Sequence, residues 1–242
     1  MQVTSNYRKQ IMIDPTDRCF VKNVEQLFSR DALIRTREYL KNIWKTIDPD
    51  ALSAREKKNH LIFGVAPDEI RFDHTWYNLW KSVSPEKIYE LRPYTRLMFP
   101  IQIRRILQDD MLVPWHQDVT YQYLRKNGGQ DHLITCFVPV EPEPTTVPTV
   151  EFAVGEFPTI TYEQLGNHGA TLELSDFPDT IHFELNCGDA LVFGDHALHR
   201  TYVPANVESF ARWSFEYRLV RPEDCLSGSD YFDIEEKVFI RI

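Results

Sequence analysis

The sequence predicts one domain with a β core, a barrel or sandwich of short strands, supported by a layer of helices that precedes it. Residues 1–93 carry apolar side chains at helical spacing, and from Thr95 onward short β-rich segments alternate with turn-rich connections. A chain of 242 residues that is 43% hydrophobic can bury one sizeable core. We therefore expect a single domain over 1–242, with helical support in 1–93, a β-barrel core in about 94–221 and a C-terminal extension in 222–242.

The helical layer shows both periodicity and start signals. Six of its apolar side chains recur three, four or seven positions apart or beside one another: Leu33, Tyr39, Leu40, Ile43, Trp44 and Ile47. Asp31 is a candidate N-cap for that helix. The segment SARE from Ser53 matches a capping box, and SPEK from Ser84 offers an N-cap followed by proline. No catalytic signature lies here, so we interpret this layer as support for a sheet.

The β core is predicted from short segments that are either alternating or continuously apolar: TRLMFPIQIRRIL, HLITCFVPV, TVEFAVGEF, IHFEL, DALVFGD and FARWSFEYRLV. Connections such as RKNGGQ and EPEPTTVP are rich in glycine or proline, which favours turns between them. Many short strands with such connections are typical of sandwiches and barrels.

Composition excludes several classes of function. The net charge of -9 argues against a broad electrostatic grip on nucleic acid or on an anionic membrane. The four cysteines show no CxxC spacing, so neither a disulfide framework nor a thiolate zinc site is indicated. The N-terminal residues carry no apolar signal-peptide core, and no apolar run of membrane-spanning length occurs. We expect a cytoplasmic protein that acts on a small molecule.

The stretch VPWHQDVTYQYL, Val113 to Leu124, reads as a strand that carries a histidine and a carboxylate two positions apart. Residues i and i+2 of a strand point to the same side, so His116 and Asp118 are expected to face one point. An imidazole and a carboxylate are two of the three ligands in the facial triad of non-haem iron oxygenases. A His-x-Asp pair alone is a weak signal, and the third ligand has to come from elsewhere.

Two later histidines can supply that ligand. NCGDALVFGDHALHR contains a Gly-Asp turn, an apolar strand and then His196 and His199. A histidine from this segment could reach the metal from the opposite wall of a barrel. Both residues remain candidates on the pattern alone.

The segment FARWSFEYRLV alternates in a way that assigns its two faces. Four polar side chains share one face, Arg212, Ser214, Glu216 and Arg218, while three aromatic side chains share the other, Trp213, Phe215 and Tyr217. If the aromatic face packs on the helices, the polar face looks into the barrel. Arg212 and Ser214 can then hold a carboxylate by a bidentate guanidinium and a hydroxyl. The alternative is that Arg212 pairs with Glu216.

Together these segments resemble the iron(II)- and 2-oxoglutarate-dependent oxygenases, specifically the phytanoyl-CoA-hydroxylase-like branch. The resemblance extends over about Thr95 to Val220 and rests on PWHQD, GDALVFGDHALHR, Asn206 and the Arg-x-Ser pair RWS. It implies a double-stranded β-helix, which is a jelly-roll, cupin-like barrel, with supporting helices.

The resemblance also implies a site. His116, Asp118 and His199 are expected to bind Fe(II), and Arg212 and Ser214 the distal carboxylate of 2-oxoglutarate. The implied reaction consumes dioxygen and hydroxylates an aliphatic C–H bond of a small polar metabolite, in natural-product tailoring.

The choice of His199 follows from its usual offset in that family, and His196 is the alternative ligand. Two rival functions stay open as well. One is a cupin-like metal enzyme that does not use 2-oxoglutarate, and the other is a non-catalytic β-sandwich binding module.

Further polar and aromatic candidates lie near these segments. Gln102 and Arg104 alternate on IQIRRIL and either contact the substrate or the C1 end of 2-oxoglutarate, or are exposed. Trp115 and Tyr121 flank the His-x-Asp pair, where simple packing is favoured over a role in the pocket.

Overall fold

The fold is mainly antiparallel β with a helical layer, as the sequence predicts. The computed structural model describes residues 13–108, 110, 112–119, 133–141, 143, 147–160, 179–205, 207 and 210–242. Its helices are α1 (Arg30–Trp44), α2 (Ala54–Phe63), α3 (Asp68–Arg71), α4 (Asn78–Lys81) and α5 (Pro85–Tyr89), with 3-10 turns at His74–Tyr77 and Pro222–Asp224. Its strands are β1 (Val21–Val24), β2 (Arg96–Met98), β3 (Gln102–Leu107), β4 (Leu133–Pro139), β5 (Thr149–Ala153), β6 (Thr180–His182), β7 (Ala190–Gly194), β8 (His199–Tyr202), β9 (Ala211–Val220), β10 (Asp230–Asp233) and β11 (Val238–Arg241).

These strands form two sheets. The larger sheet has the order β1-β7-β4-β9-β2-β10-β11, and β3 also pairs with β9. The smaller sheet has the order β6-β5-β8. A cavity between them is lined by residues of both sheets, among them Thr135 and Arg212 from the larger and Val150 and His199 from the smaller. The three predicted metal ligands, His116, Asp118 and His199, also line this cavity.

The helices pack on the aromatic face of β9, which confirms the expected assignment of its two faces. Trp213 meets Trp44 of α1 edge to face, with 4.9 Å between ring centroids. Tyr217 meets Trp80 of α4 in the same way at 5.3 Å. Phe215 lies between them and is fully buried. Edge-to-face aromatic pairs stabilise a core beyond the area they bury, so this layer anchors β9 from outside the barrel.

Helix starts follow the sequence with one exception. Ser53 and Glu56 form the predicted capping box of α2, and Ser84 caps α5 with proline at its first position. The N-cap of α1 is Ser29, whose hydroxyl accepts from the backbone N–H of Ala32 at 3.2 Å, and Asp31 lies inside the first turn. A carboxylate there still favours the helix N-terminus electrostatically.

Three strands lie outside the predicted β core. β1 falls within the segment expected to be helical and pairs with β7, where Val21 lies opposite Phe193. β10 and β11 fall within the expected extension and continue the larger sheet beyond β2. Each of them has four residues, which is too short for its period to be distinguished in the sequence. Within the described residues, no helix has the length and apolarity needed to cross a membrane.

Candidate metal centre

The site is built on a main-chain bridge between His116 and His199. The backbone N–H of each donates to the carbonyl of the other at 2.9 Å. Their ring centroids lie 4.1 Å apart. The smaller sheet supports this bridge, since His199 begins β8 and lies opposite Phe152 of β5. Two segments that are distant in the chain thus bring their imidazoles together through the backbone.

The expectation that His116 and Asp118 share one face of a strand is wrong. The bridge at His116 is isolated, and Asp118 and Val119 are helical. The chain leaves the extended conformation because it is tied to the segment before β8. Val119 N–H donates to the carbonyl of Asp195 at 2.9 Å, and the Gln117 side chain donates to the carbonyl of His196 at 2.9 Å.

The structure nevertheless brings the three predicted ligands together. His116, Asp118 and His199 each offer a ligand atom, and these atoms lie within 4.8 Å of one another. All three side chains are buried. In the part of the chain that the structure describes, this is the one cluster of histidine, cysteine or carboxylate side chains suited to a metal ion.

Both imidazoles are oriented by main-chain carbonyls. Nδ1 of His116 lies 2.9 Å from the Pro114 carbonyl, and Nδ1 of His199 lies 2.8 Å from the Ala197 carbonyl. A carbonyl only accepts, so Nδ1 carries the hydrogen and Nε2 carries the lone pair that a metal needs. Burial lowers the pKa of both histidines, and the neighbouring imidazole lowers that of His116 further. Both rings are neutral as a result, which is the ligating form.

Asp118 is held by a cross-strand pair of the larger sheet. Thr135 of β4 donates its hydroxyl to one carboxylate oxygen, and Nη2 of Arg218 on β9 donates to the other at 3.1 Å. Thr135 and Arg218 lie directly opposite each other in the β4–β9 register. Burial opposes ionisation of Asp118, but Arg218, the two imidazoles and Thr135 outweigh it and lower the pKa of this carboxyl. Asp118 is thus an ionised, oriented carboxylate.

Arg212 and Ser214 occupy the inner face of β9, as predicted. Arg212 is 2% exposed and lines the same cavity as the three clustered residues. Its Nη1 donates to the carbonyls of Pro148 and Thr149 at 3.2 and 3.4 Å. Ser214 is fully buried beside it, although it does not line the cavity itself. The structure thus places the Arg-x-Ser pair at this wall of the barrel.

The alternative pairing of Arg212 with Glu216 is not formed in the described structure. The Glu216 carboxylate lies 3.7 Å from Nη1 of Arg104 and 3.7 Å from Nη2 of Arg218. Arg104, which the sequence allowed to be exposed, is buried and lines the cavity. Gln102 instead accepts from Arg71 at 3.1 Å.

His196 lies outside the cluster. Its Nδ1 is 3.0 Å from Asp195, and its Nε2 is 3.1 Å from the hydroxyl of Thr159. Arg18 forms a salt bridge with the same Asp195 carboxylate. Both ring nitrogens of His196 thus contact neighbouring polar groups, and these contacts stabilise the turn between β7 and β8. Neither nitrogen faces His116.

Of the two aromatic candidates beside the His-x-Asp pair, Trp115 and Tyr121, the structure describes Trp115. Trp115 is buried in a small cluster with Ala153, Ile160 and Leu198, and the Arg200 guanidinium lies 4.7 Å from its ring. This is packing, as favoured. Tyr121 and Asn206 lie outside the described residues.

Sequence reasoning missed the partners of Asp118. Thr135 lies in the apolar segment LITCFVPV, where its hydroxyl and the thiol of the next residue, Cys136, are the only polar groups of the side chains. Arg218 was assigned to the inner face without a partner. A buried threonine in a core strand is the signal that could have pointed to this role, since buried hydroxyls are normally hydrogen-bonded.

No family model and no curated protein sequence matches the chain. Its structure is similar to EctD from S. alaskensis, solved with 2-oxoglutarate and 5-hydroxyectoine, at 12% identity and a TM-score of 0.58 over 93% of this chain and 79% of that one. It is also similar to the non-haem α-ketoglutarate-dependent epimerase SnoN from nogalamycin biosynthesis, at 13% identity and a TM-score of 0.56 over 86% and 83%. HygX from Streptomyces hygroscopicus, solved with nickel and 2-oxoglutarate, gives 13% identity and a TM-score of 0.51 over 83% of each chain. These likenesses confirm the predicted fold, a jelly-roll of the 2-oxoglutarate oxygenase type.

The residues present fit an iron ion and a dicarboxylate. Two neutral imidazoles and one carboxylate are the donor set of a facial-triad iron site. Nε of Arg212, which lines the cavity, and the hydroxyls of Ser214 and Thr149, which do not line it, are buried and find no partner among the described residues. Buried polar atoms are normally satisfied, so these donors are available to a bound anion.

Proposed function

We propose that the chain is a non-haem Fe(II)- and 2-oxoglutarate-dependent dioxygenase that hydroxylates an aliphatic C–H bond of a small polar metabolite, in natural-product tailoring. The observation that carries the proposal is the buried cluster of two imidazoles and one carboxylate inside a jelly-roll barrel. EctD and HygX, both solved with 2-oxoglutarate, support the choice of co-substrate. The motifs PWHQD and GDALVFGDHALHR support a place in the phytanoyl-CoA-hydroxylase-like branch.

In this proposal His116, Asp118 and His199 hold the iron. Neutral imidazoles and an ionised carboxylate leave the bound ion with one net positive charge, which favours an anionic co-substrate. Three protein ligands leave coordination positions for a bidentate 2-oxo acid and for dioxygen. Iron and 2-oxoglutarate, when bound, supply the oxidation, in which dioxygen is consumed and 2-oxoglutarate leaves as succinate and carbon dioxide.

Arg212 and Ser214 bind the distal carboxylate. The guanidinium is already oriented by the carbonyls of Pro148 and Thr149, and it lies 5.2 Å from the centre of the Phe137 ring. An arginine fixed in this way loses little freedom when a carboxylate arrives. Its Nε and the hydroxyl of Ser214, neither of which has a partner among the described residues, supply donors for that carboxylate.

Part of the remaining cavity wall is apolar. Phe137, Val150 and Phe193 line it beside the clustered ligands. An apolar wall lowers the local dielectric and strengthens the ionic contacts of the co-substrate. Hydroxylation is the outcome we propose because it is the commonest reaction in the resembled family.

The test is an anaerobic titration with Fe(II), followed by 2-oxoglutarate, and then a screen for succinate release against a panel of metabolites in air. We expect one iron per chain, binding of 2-oxoglutarate only after iron, and succinate release stimulated by a polar metabolite. Iron binding without 2-oxoglutarate binding would indicate a cupin-like metal enzyme of another kind. Failure to bind iron would indicate a non-catalytic binding module.

A further inference from the structure

Two arginines from adjacent strands share the cavity wall. Arg104 of β3 is 9% exposed and Arg212 of β9 is 2% exposed, and both line the cavity. In the β3–β9 register Arg104 lies opposite Ser214, so Arg104 and Arg212 are diagonal neighbours on one face. Diagonal neighbours are about 7–8 Å apart, within reach of long side chains. Their guanidinium groups can therefore approach one bound group together.

Neither guanidinium has a close counter-ion in the described part of the chain. Arg212 forms no ion pair there, and its hydrogen bonds go to two main-chain carbonyls. Nη1 of Arg104 lies 3.7 Å from Glu216, and its Nε lies 3.4 Å from the Phe63 carbonyl. Both distances are longer than a good hydrogen bond. Glu216 and the Phe63 carbonyl thus position Arg104, while its guanidinium N–H donors can still bind another group.

The charges around the cavity do not balance. Among the described side chains Arg218 pairs with Asp118 at 3.1 Å and Arg200 pairs with Glu151 at 2.7 Å, which leaves Arg104 and Arg212 with the single carboxylate of Glu216. One positive charge is left over in a buried place, and burying an unpaired charge is costly. Burial lowers the pKa of Arg212, and the nearby positive charge of Arg104 lowers it further, to about 9. One carboxylate bound between the two guanidinium groups would neutralise the excess.

We propose that Arg104 is a second arginine for the distal carboxylate of 2-oxoglutarate, acting together with its diagonal neighbour Arg212, with Ser214 directly across from Arg104. This inference rests on the proposed function. Glu216 positions Arg104 at a distance that leaves its donors available. The cavity therefore recognises the far end of the co-substrate with two guanidinium groups, and it discriminates strongly against 2-oxo acids that lack a second carboxylate.

The experiment compares two ligands that differ only at that end. 2-Oxopentanoate has the carbon chain of 2-oxoglutarate with a methyl group in place of the distal carboxylate. Isothermal titration calorimetry of the Ni(II)-loaded protein gives the Kd of both ligands for the wild type, Arg104→Gln and Arg104→Lys. Arg105→Gln is the matched control, because Arg105 is the next residue of β3 and its guanidinium stacks on Trp44 and Trp213 on the opposite face.

We expect Arg104→Gln to weaken 2-oxoglutarate about tenfold or more, the usual effect of losing a charged hydrogen bond, with 2-oxopentanoate and Ni(II) affinity changed less than about twofold. Arg104→Lys keeps the charge without the planar fork and should lose part of the same selectivity. Arg104→Lys also tests the proposal if Arg104→Gln does not fold. Arg105→Gln should leave both affinities unchanged, even if it unfolds more easily.

Other outcomes overturn the inference in distinct ways. An equal loss for both ligands would place Arg104 at the C1 end or near the metal. No loss in Arg104→Gln would make Arg104 a purely structural partner of Glu216. A wild type that binds Ni(II) but neither 2-oxo acid would instead contradict the proposed function itself.

Discussion

The two faces of β9 differ in what they contact: one packs on the aromatic side chains of the helical layer, and the other turns charged side chains toward the cavity. Toward the helices, Trp213, Phe215 and Tyr217 are buried in aromatic contacts, and the Tyr217 hydroxyl donates to the Trp76 carbonyl at 3.0 Å. Toward the cavity, the same strand presents three guanidinium or carboxylate groups and a serine, several of whose buried atoms have no partner among the described residues. Buried donors without a partner among the described residues occur on the helix side as well, at Nε1 of Trp44 and Trp80 and at Nε of Arg105. The difference teaches that charged side chains turned toward a cavity, rather than unsatisfied atoms as such, distinguish the side where we propose binding.

The largest effect is expected at the three proposed metal ligands, which line the cavity that the charged face of β9 borders. His116→Ala, Asp118→Ala and His199→Ala should each abolish iron-dependent turnover and weaken metal binding well over a hundredfold, beyond what loss of an outer hydrogen-bond partner costs. His196→Ala is the matched control and should retain most of both, since His196 contacts Asp195 and Thr159 instead. Metal titration calorimetry measures this. A metal-free His196→Ala protein beside a metal-binding His199→Ala protein would show that the ligand assignment is wrong.

The next effect is expected on the helix-covered face. Phe215→Ala removes a fully buried ring from the aromatic cluster and should lower the free energy of unfolding by about 3–5 kcal/mol. Urea denaturation followed by circular dichroism gives this value. Metal affinity in the folded fraction should be unchanged, because Phe215 points away from the cavity. A loss below about 1 kcal/mol would contradict the view that this face anchors the strand.

Arg212→Lys probes the cavity face without removing its charge. The lysine cannot form two parallel hydrogen bonds to a carboxylate, so the affinity for 2-oxoglutarate should fall about tenfold or more, which corresponds to about 1.5–3 kcal/mol. Unfolding in urea should change little by comparison with Phe215→Ala. An unchanged dependence on 2-oxoglutarate would move the carboxylate contact to Arg218 or to another group.

The smallest effect, and the sharpest contrast, is expected for Ser214→Ala. Its hydroxyl has no partner among the described residues, so removing it should leave the free energy of unfolding unchanged or slightly raised. The affinity for 2-oxoglutarate should fall a few-fold, about 0.5–1.5 kcal/mol. Calorimetry and urea denaturation on one preparation measure both. If Ser214→Ala lowered the free energy of unfolding and left the affinity for 2-oxoglutarate unchanged, Ser214 would contribute to stability and not to binding.

Period-2 alternation made the faces of β9 predictable, because it places Arg212 and Ser214 opposite Trp213 and Phe215 whatever the strand pairs with. The pairing itself was not predictable. That Thr135 and Arg218 hold Asp118 depends on the β4–β9 register, which joins positions far apart in the chain. Local pattern carries no information on such a register.

The His-x-Asp segment shows the other limit. Its composition resembles a strand, yet Asp118 lies in a helical turn because Gln117 and Val119 are tied to the backbone before β8. Tertiary hydrogen bonds overrode local propensity there. The choice between His196 and His199 could be made from a family offset but not from the pattern, since only the bridge to His116 separates them.

The place of β9 in the chain also bears on how the protein is made. β9 pairs with β2, β3 and β4, all of which are synthesised long before it. On the ribosome these earlier strands emerge with open edges and no central partner, a state that favours association with other chains. The larger sheet can close only after Val220 has left the exit tunnel. The centre of the larger sheet thus forms only after β9 has been made, and a nascent chain that stalls before β9 exposes strand edges that favour association.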